Sequence, residues 1–489
     1  MSFRYPRLVI AGLKGGSGKT TLSLGLIRAF RGRGLKVAPF KKGPDYIDAG
    51  WLASAAEHPC YNLDPFLVGS DRLLSSFLAH AQDAGISLIE GNRGLYDGMD
   101  VDGTYSTAEV AKTLRAPVIL VVDCTKVTRT VAAMVLGTRR FDAELDIRGV
   151  VLNQIAGTRH ESVIRGSIEK YSDLPVLGAI PRTGAGEFPE RHMGLTPYQE
   201  HPDTEKAISF VENLVGRYLD LEKIIAIARD AEVLIERQGP GGGEQMHGTL
   251  RPVSHDVRIG VIRDSAFQFY YPENFEELKR CGAELVEVSA LSERQLPGVD
   301  ALYIGGGFPE THAIALAENA RFRDSLRKAV EEGLPVYAEC GGLMYLGQGL
   351  LLGGKTFPMT GIFPLVFSLE KKPQAHGYTI AEVIRKNPFY PEGTVLKGHE
   401  FHYSKPCSVF DEAEGFSFAF KMKRGQGIRE KMDAICYKNV LATYTHLHAY
   451  GAREWADGLV GQAAEFRKRK TFRKSDERGD EGKRLSYPR

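Results

Sequence analysis

The feature that most constrains the fold lies near the start of the chain, at residues 8–21. The run reads Leu8-Val9-Ile10-Ala11-Gly12-Leu13-Lys14-Gly15-Gly16-Ser17-Gly18-Lys19-Thr20-Thr21. Its apolar beginning predicts a buried strand, its glycines predict a tight turn, and its end predicts the start of a helix. Glycines let the backbone approach an anion closely, and the amides at a helix N-terminus point at that anion. The order of these parts therefore indicates a phosphate-binding loop in an α/β domain.

The residue types in this loop predict how it would hold a nucleotide. Lys19 is expected to reach the β- and γ-phosphates, and the Thr20 hydroxyl is expected to bind Mg²⁺. Leu13 stands where the common pattern has glycine, so the run fits the variant form of the loop that carries an additional lysine, Lys14, whose role stays open. The predicted nucleotide contacts in the loop are Lys14, Gly15, Gly16, Gly18, Lys19, Thr20 and Thr21.

Acidic residues follow two further predicted strands of the same domain. Asp45 and Asp48 come after the strand at residues 36–40, beside two lysines, and Glu90 ends the next strand. Because ligands bind at the carboxyl ends of the strands in open α/β sheets, these carboxylates suit a metal or substrate site. A solvated loop of ion pairs is the alternative for the two aspartates. The predicted Mg²⁺ ligands are Thr20, Asp45 and Glu90.

Three continuous apolar runs predict additional parallel strands that are buried on both faces. They lie at residues 117–123, 147–153 and 176–181, and the last is expected to end the sheet. Asn153 stands at the tip of the second run. Its amide could read the edge of an adenine base, or the residue could simply form a turn, and both interpretations are open.

Length and composition exclude several classes of function. The 489 residues are enough for two or three domains, and 63 basic against 61 acidic side chains leave no global field that would attract nucleic acid or an anionic membrane. The six cysteines show neither a CxxC pair nor metal-ligand spacing, which argues against a disulfide framework. Because there is no signal segment and no apolar run approaches the ~20 residues that span a bilayer, we expect a soluble cytoplasmic protein.

Composition also predicts where the domains begin and end. A phosphate-binding domain is expected at residues 1–237, and the glycine-rich segment 238–256 has the composition of a linker. A second α/β domain is expected at residues 257–455. The charged segment 456–489 predicts a disordered tail. Its basic residues are expected to be solvated, and this interpretation is favoured over their binding an anionic ligand.

The second domain carries a candidate nucleophile. An apolar strand at residues 334–338 leads to Cys340, which is followed by two glycines. A nucleophile at a sharp turn between strand and helix is exposed, and the helix N-terminus favours its thiolate. An ordinary core cysteine is the alternative. His446 is the candidate base, and the amides near Gly306 and Gly341 are candidates for an oxyanion hole.

Taken together, these segments resemble one family, the glutamine-dependent amide synthetases of the cobyrinate a,c-diamide synthase type. The matching runs are the phosphate loop and residues 43–48, 62–64, 90–91, 94–98, 305–310, 339–342, 399–404 and 444–448. The resemblance implies a P-loop NTPase-type, mostly parallel domain similar to dethiobiotin synthetase, followed by a class I-type glutamine amidotransferase α/β domain. It implies ATP, L-glutamine and cobyrinate as substrates, with Mg²⁺ as cofactor. The implied reaction is amidation of the a and c carboxylates in cobalamin biosynthesis, through an acyl phosphate.

The resemblance also implies roles for individual residues. Cys340 would attack glutamine, and His446 would raise its nucleophilicity. His448 stands where the common triad places a glutamate, two residues after the histidine, so a Cys–His pair without an acidic partner is expected. The acidic side chains implied at the acid-activating site, with Mg²⁺, are Asp45, Asp48, Glu90 and Asp97.

Several alternatives stay open at this point. The same chemistry could act on hydrogenobyrinate or on nickel-sirohydrochlorin, and the order of the two amidations and a homodimer are undecided. A partition-type ATPase switch is the rival from another class, because Lys14 belongs to that variant of the loop. It leaves Cys340 and His446 unexplained, and an assay of glutamine hydrolysis separates the two interpretations.

Overall fold

The computed structural model describes residues 2–182, 190–191, 194–235, 256–407 and 415–484. The chain divides into two compact units, Met1–Gly248 and Thr249–Arg489. The division falls inside the expected linker at 238–256, of which residues 238–255 lie outside the described ranges. Each unit has its own central sheet and its own apolar core.

The first unit alternates strands and helices along the chain. Its described helices are α1 (Lys19–Gly32), α2 (Ile47–Ala56), α3 (Pro65–Val68), α4 (Ser70–Ala81), α5 (Thr107–Thr113), α6 (Thr130–Phe141), α7 (Thr158–Ser172), α8 (Thr204–Tyr218) and α9 (Leu221–Arg229), with a 3₁₀ turn at Tyr198–Glu200. Its described strands are β1 (Ser2–Phe3), β2 (Arg7–Gly12), β3 (Val37–Lys42), β4 (Tyr61–Leu63), β5 (Ile86–Glu90), β6 (Val118–Asp123), β7 (Ile147–Ile155), β8 (Val176–Pro181), β9 (Glu190–Arg191), β10 (Gly194–Leu195) and β11 (Leu234–Ile235).

Seven of these strands form one parallel sheet, in the order β4-β3-β5-β2-β6-β7-β8. Apolar residues of β2, β5 and β6 pack with those of α1 and α8 in a single cluster, which explains why these strands read as continuous apolar runs. The carboxyl ends of all seven strands therefore meet at one edge, where α1 also begins. The predicted strand, glycine turn and helix are confirmed, and β8 ends the sheet as expected.

The second unit has fewer helices and more strands. Its described helices are α10 (Pro272–Arg280), α11 (Ala313–Glu318), α12 (Ala320–Glu331), α13 (Gly341–Leu346) and α14 (Arg453–Arg484). Its described strands are β12 (Val257–Ile262), β13 (Phe267–Phe269), β14 (Ala283–Val288), β15 (Ala301–Ile304), β16 (Gly306–Gly307), β17 (Val336–Glu339), β18 (Gly349–Leu352), β19 (Lys355–Pro358), β20 (Val366–Leu369), β21 (Ala375–Val383), β22 (Val395–His402), β23 (Ser404–Pro406), β24 (Ser417–Arg424), β25 (Met432–Tyr437), β26 (Val440–Thr443) and β27 (His446–Leu447).

The main sheet of this unit has ten strands, in the order β14-β12-β15-β17-β26-β25-β24-β21-β22-β27. The first five are parallel, and the remaining pairs are antiparallel. Two apolar clusters are built on its strands, and each cluster contains residues from both the parallel and the antiparallel part. The α/β class expected for both domains is confirmed.

The expectation of a disordered tail from residue 456 is wrong, because helix α14 continues through it to Arg484. Trp455, Leu459, Val460 and Ala463 are buried in one of the apolar clusters of the second unit. Their helical spacing buries one face of α14, which the charged composition of the segment concealed. The second unit therefore extends beyond residue 455. Within the described ranges, no helix combines the length and the hydrophobicity needed to cross a membrane.

Candidate active sites

The phosphate loop of the first unit is closed around the ammonium group of Lys19. Gly18, immediately before α1, has a left-handed backbone with φ 92°, which glycine adopts without strain. Lys19 Nζ donates to the carbonyl oxygens of Arg93 at 2.7 Å and Lys14 at 3.2 Å. Burial lowers the pKa of Lys19, against the opposing effect of the Glu90 charge. The loop is thus preformed, with a cation held at its centre.

A buried ion-pair cluster lies next to the start of α1. Lys41 Nζ is 2.6 Å from Asp48 Oδ2 and 2.7 Å from Glu90 Oε1, and the Thr20 hydroxyl donates to Glu90 Oε1 at 2.8 Å. The Lys41 side chain is 2% exposed and that of Glu90 is fully buried. Burial acts to lower the pKa of Lys41, but the charges of Asp48 and Glu90 outweigh it and raise that pKa well above its usual value. Lys41 is the central cation of the cluster, and it was missing from the predicted site residues.

Asp45 joins this cluster through the backbone. Its Oδ1 accepts a hydrogen bond from the Asp48 amide at 2.9 Å, and the Asn62 side chain donates to the Asp45 carbonyl at 3.0 Å. Burial and the neighbouring Asp48 charge raise the pKa of Asp45 to about 7, and burial also raises the pKa of Glu90. Asp48 and Glu90 thus contact Lys41 directly, and Asp45 is held beside them by the Asp48 amide. In the described part of the chain, no group of three or more His, Cys, Asp or Glu side chains is arranged to hold a metal by itself.

Three further predicted residues of this unit, Asp97, Lys14 and Asn153, have partners within the same unit. Asp97 Oδ2 accepts from the Gly94 amide at 2.8 Å, and Lys14 forms an ion pair of 3.0 Å with Asp123. Asn153 Nδ2 donates to the Ser17 carbonyl at 2.9 Å. The structure thus gives Asn153 a contact with the loop itself, and reading of an adenine edge stays a prediction.

The second unit places Cys340 at a strained turn between β17 and α13. Its backbone has φ 47° and ψ −99°, and such a positive φ is uncommon for a residue with a side chain. The Cys340 amide donates to the Thr443 carbonyl at 2.8 Å, so the turn is pinned to β26. Burial and the Glu310 charge raise the pKa of the Cys340 thiol, against a hydrogen bond from the Gly341 amide. The resting thiol therefore needs a base to become a nucleophile.

The structure brings both predicted oxyanion glycines to this turn. A Cβ added to Gly306 would lie 2.6 Å from His446 Cε1, and one added to Gly341 would lie 2.9 Å from the Gly307 nitrogen. Such distances are too short for any side chain other than hydrogen. Gly306 is therefore packed directly against the candidate base, and Gly341 against the backbone next to it.

An acidic partner of His446 is present, so the expectation of a Cys–His pair without one is wrong. His446 Nδ1 lies 3.2 Å from Glu339 Oε2, and both side chains are buried, with 3% and 1% exposure. The glutamate comes from the residue before the nucleophile instead of two residues after the histidine. His448, at that expected position, instead pairs with buried Glu273 at 3.4 Å.

A second histidine packs on the ring of His446. His399 on β22 is paired with His446 on β27, and their rings stack with centroids 4.9 Å apart at 22°. Burial lowers the pKa of His399 well below its usual value, and His446 adds to that shift. His399 is therefore neutral at physiological pH. Its run, 399–404, is one of those that carry the family resemblance, which implies no role for His399.

Comparison with known proteins finds a family match in each of the two units. Residues 8–195 match the family described as the CobQ/CobB/MinD/ParA nucleotide binding domain, and residues 258–454 match the CobB/CobQ-like glutamine amidotransferase domain. These two matches define a class of protein in which a nucleotide-binding domain is followed by a glutamine amidotransferase domain.

Full-length relatives narrow this class. A cobyrinate a,c-diamide synthase of Magnetococcus marinus is 42% identical, and the match covers 94% of this chain and 97% of the relative. Enzymes with the same name from Listeria monocytogenes serotype 4b and Archaeoglobus fulgidus are each 39% identical, over 91% and 94% of this chain and 96% and 97% of those proteins. The chain belongs to the cobyrinate a,c-diamide synthase family.

Proposed function

We propose that this protein is an ATP- and glutamine-dependent ligase that converts the a and c carboxylates of cobyrinate into amides. The observation that carries the proposal is that one chain holds both a preformed phosphate loop and an elbow, the sharp turn between β17 and α13 at Cys340. The elbow is accompanied by a histidine, His446, and a buried glutamate, Glu339. Near full-length similarity to proteins named for this reaction supports the choice of substrate.

The second unit would supply ammonia. The Cys340 sulfur attacks the carboxamide carbon of glutamine while His446 takes the thiol proton, and the resulting oxyanion is bound by amides near Gly306 and Gly341. The carbon–nitrogen bond then breaks, and the imidazolium returns the proton to the leaving ammonia. Water hydrolyses the remaining thioester, which releases glutamate and restores the thiol.

The first unit would activate the carboxylate. A carboxylate does not react with ammonia at neutral pH, because the group that would leave resembles oxide. If a carboxylate oxygen attacks the γ-phosphorus of ATP, ADP leaves and an acyl phosphate forms, from which ammonia then expels phosphate. Lys19, whose ammonium group donates to the Arg93 carbonyl, would stabilise charge on the transferred group.

The acidic cluster fits Mg²⁺. Among the described residues, Glu90 Oε2 is buried without a hydrogen-bond partner, and its other oxygen already accepts from the Thr20 hydroxyl. Oxygen ligands of this kind are those that Mg²⁺ prefers. Thr20 and Glu90 would hold the ion, with Asp45 or Asp48 adding a further carboxylate. When bound, Mg²⁺ neutralises charge on the phosphates.

The deciding experiment offers the purified protein ATP, glutamine and each of three macrocycles: cobyrinate, hydrogenobyrinate and nickel-sirohydrochlorin. We expect the masses of the products to show two carboxylates of cobyrinate converted to amides, with the highest kcat/KM for that macrocycle. Faster amidation of another macrocycle would replace the proposed substrate. ATP hydrolysis without amidation of any of them, and without glutamine hydrolysis, would favour an ATPase switch.

A further inference from the structure

The side chain of Glu339, the residue before the nucleophile, stands out in the second unit. The side chain is 1% exposed although it ends in a carboxylate, a group that is rarely buried without firm partners. We propose that Glu339 is the positioning residue of the glutaminase site, and that it orients His446 from inside the elbow. This inference rests on the proposed function, because it concerns the same thiol site.

The turn geometry allows consecutive residues to serve one histidine. Neighbouring side chains of a regular strand point to opposite faces, so Glu339 and Cys340 could not both address His446 from an extended strand. Glu339 is the last residue of β17, and Cys340 leaves the extended region with φ 47°. The chain therefore changes direction between the two residues, where an acidic side chain can reach behind the catalytic pair.

Both oxygens of Glu339 are engaged, which fixes its orientation. Oε2 lies 3.2 Å from His446 Nδ1 and accepts from the Tyr303 hydroxyl at 3.4 Å, while Oε1 accepts from the Leu447 amide at 3.2 Å. Since Leu447 follows His446, one carboxylate holds both the ring and the backbone of the base. The carboxylate can only accept, so Nδ1 carries the hydrogen and Nε2 is left free to receive a proton.

The surroundings hold the ring in this position. The edge of the ring at Cε1 and Nε2 faces Gly306, where a Cβ would lie 2.6 Å and 3.3 Å from these two atoms. The flat face stacks on His399, whose pKa is lowered well below its usual value by burial, so no second imidazolium competes for Glu339. The observed orientation of the His446 ring therefore depends on the absence of a side chain at residue 306 and on the stacked ring of His399.

In the resulting step, the thiol proton passes to Nε2 as the sulfur–carbon bond forms. The Glu339 carboxylate stabilises the imidazolium, which then gives its proton to the departing ammonia. A glutamine at position 339 could instead donate its amide hydrogen to Nδ1. That would favour the tautomer with hydrogen on Nε2, which cannot accept the thiol proton.

The test compares Glu339→Gln with Glu273→Gln, since Glu273 forms a buried pair with His448 at 3.4 Å and serves as the matched control. For E339Q we expect the kcat of glutamine hydrolysis to fall about 10²- to 10⁴-fold with little change in KM. E273Q should keep the kcat. Amidation with added ammonium salt should persist in both variants, because it bypasses the thiol site.

The tautomer of His446 gives a readout that a structural role would not change. In protein labelled with heavy nitrogen at histidine, the imidazole signal that is absent from His446→Asn should show hydrogen on Nδ1 in the wild type and on Nε2 in E339Q. If E339Q does not fold, Glu339→Asp decides: we expect a kcat between those of wild type and C340S, with the Nδ1 tautomer retained.

Two outcomes would overturn the proposal. One is wild-type glutamine hydrolysis by folded E339Q, and the other is an equal loss of kcat in E339Q and E273Q with an unchanged tautomer. Failure of the proposed function would be recognised separately, as absence of ATP-dependent amidation by the wild-type protein with either nitrogen source.

Discussion

The two sites of this protein handle charge in opposite ways. In the first unit, Lys41 is shared between Asp48 and Glu90, Asp45 lies beside them, and burial raises the pKa values of Asp45 and Glu90. In the second unit, one carboxylate, Glu339, is matched to one histidine, and its remaining bonds are supplied by a backbone amide and a hydroxyl. Among the described residues, Glu90 Oε2 of the first site is buried without a hydrogen-bond partner, whereas both oxygens of Glu339 in the second site have partners. We therefore expect the first site to accept a cation, and we expect the second site to be sensitive to any displacement of the His446 ring.

The largest expected effect comes from replacing the Cys340 thiol, which separates the use of glutamine from the use of ammonium salt. Cys340→Ser should lower glutamine-dependent amidation by at least about 10³-fold, because no comparable nucleophile remains. Amidation with ammonium salt should continue, since only the ammonia source is lost. The assay follows amide formation with each nitrogen source, and Cys407→Ser, at an exposed cysteine, is the control. Unchanged use of glutamine by C340S would show that the nucleophile is another residue.

A change in the phosphate loop should have the converse effect. Lys19→Ala is expected to lower amidation from both nitrogen sources by about 10²- to 10³-fold, because it removes the cation nearest the transferred group. Glutamine hydrolysis should stay measurable, since its chemistry belongs to the other unit. Lys36→Ala, at an exposed lysine of the same unit, is the control. Normal amidation and undiminished ATP binding by K19A would refute the assignment of the loop.

A single methyl group tests how sensitive the second site is to shape. Gly306→Ala places a Cβ 2.6 Å from His446 Cε1, so the ring must move away from its bond with Glu339. We expect kcat for glutamine hydrolysis to fall about 10- to 100-fold, with ammonium-dependent amidation preserved. Gly298→Ala, where an added Cβ meets no atom within 4 Å, is the control. Full activity of G306A would mean that the ring position is not critical.

The smallest expected effect is on the stability of the protein, and it concerns the carboxyl group of Asp45 in the first unit. Asp45 has a pKa of about 7, above its usual value of 3.8, so between these pH values the folded protein retains a proton that the unfolded chain releases. The contribution of Asp45 to the stability of the wild type therefore falls as pH rises from about 4 to about 7. Asp45→Asn lacks this loss while keeping an oxygen to accept from the Asp48 amide.

The thermal midpoint of D45N relative to wild type should consequently increase across that pH range, corresponding to about 1–4 kcal/mol in the free energy of unfolding. The measurement is made without nucleotide or divalent cation, with the exposed residue change Asp83→Asn as control. A difference that is constant with pH would show that Asp45 is ionised throughout.

The sequence predicted those parts of each site that are contiguous in the chain. The phosphate loop and the elbow at Cys340 are local patterns, and both were found with the strand and helix that carry them. Glu339 was missed because its role depends on where His446 lies, which the pairing of β27 with β22 determines. A signal was present, since a buried strand ending in a carboxylate had already indicated a function for Glu90.

Two other omissions have similar causes. Lys41 is one of the two lysines beside Asp45 in the sequence, and only the close approach of Asp48 and Glu90 makes it the centre of a buried cluster. Helix α14 was missed because its apolar side chains, such as Trp455 and Leu459, lie at helical spacing next to a strongly charged segment. Lys41 and Glu90 lie 49 residues apart, and the apolar cluster that buries one face of α14 includes residues of β12, β15 and β21.

In the proposed function, the first unit phosphorylates a carboxylate of the substrate. Ammonia that the second unit releases from glutamine then converts the acyl phosphate to an amide. Substrate labelled with heavy oxygen in its a and c carboxylates tests this order of steps directly, in the presence of ATP and glutamine. The bridging oxygen of an acyl phosphate comes from the carboxylate, so inorganic phosphate should carry one labelled atom for each amide formed, with ADP as the other product. Label in AMP with release of pyrophosphate, or unlabelled phosphate beside the amide product, would contradict the account.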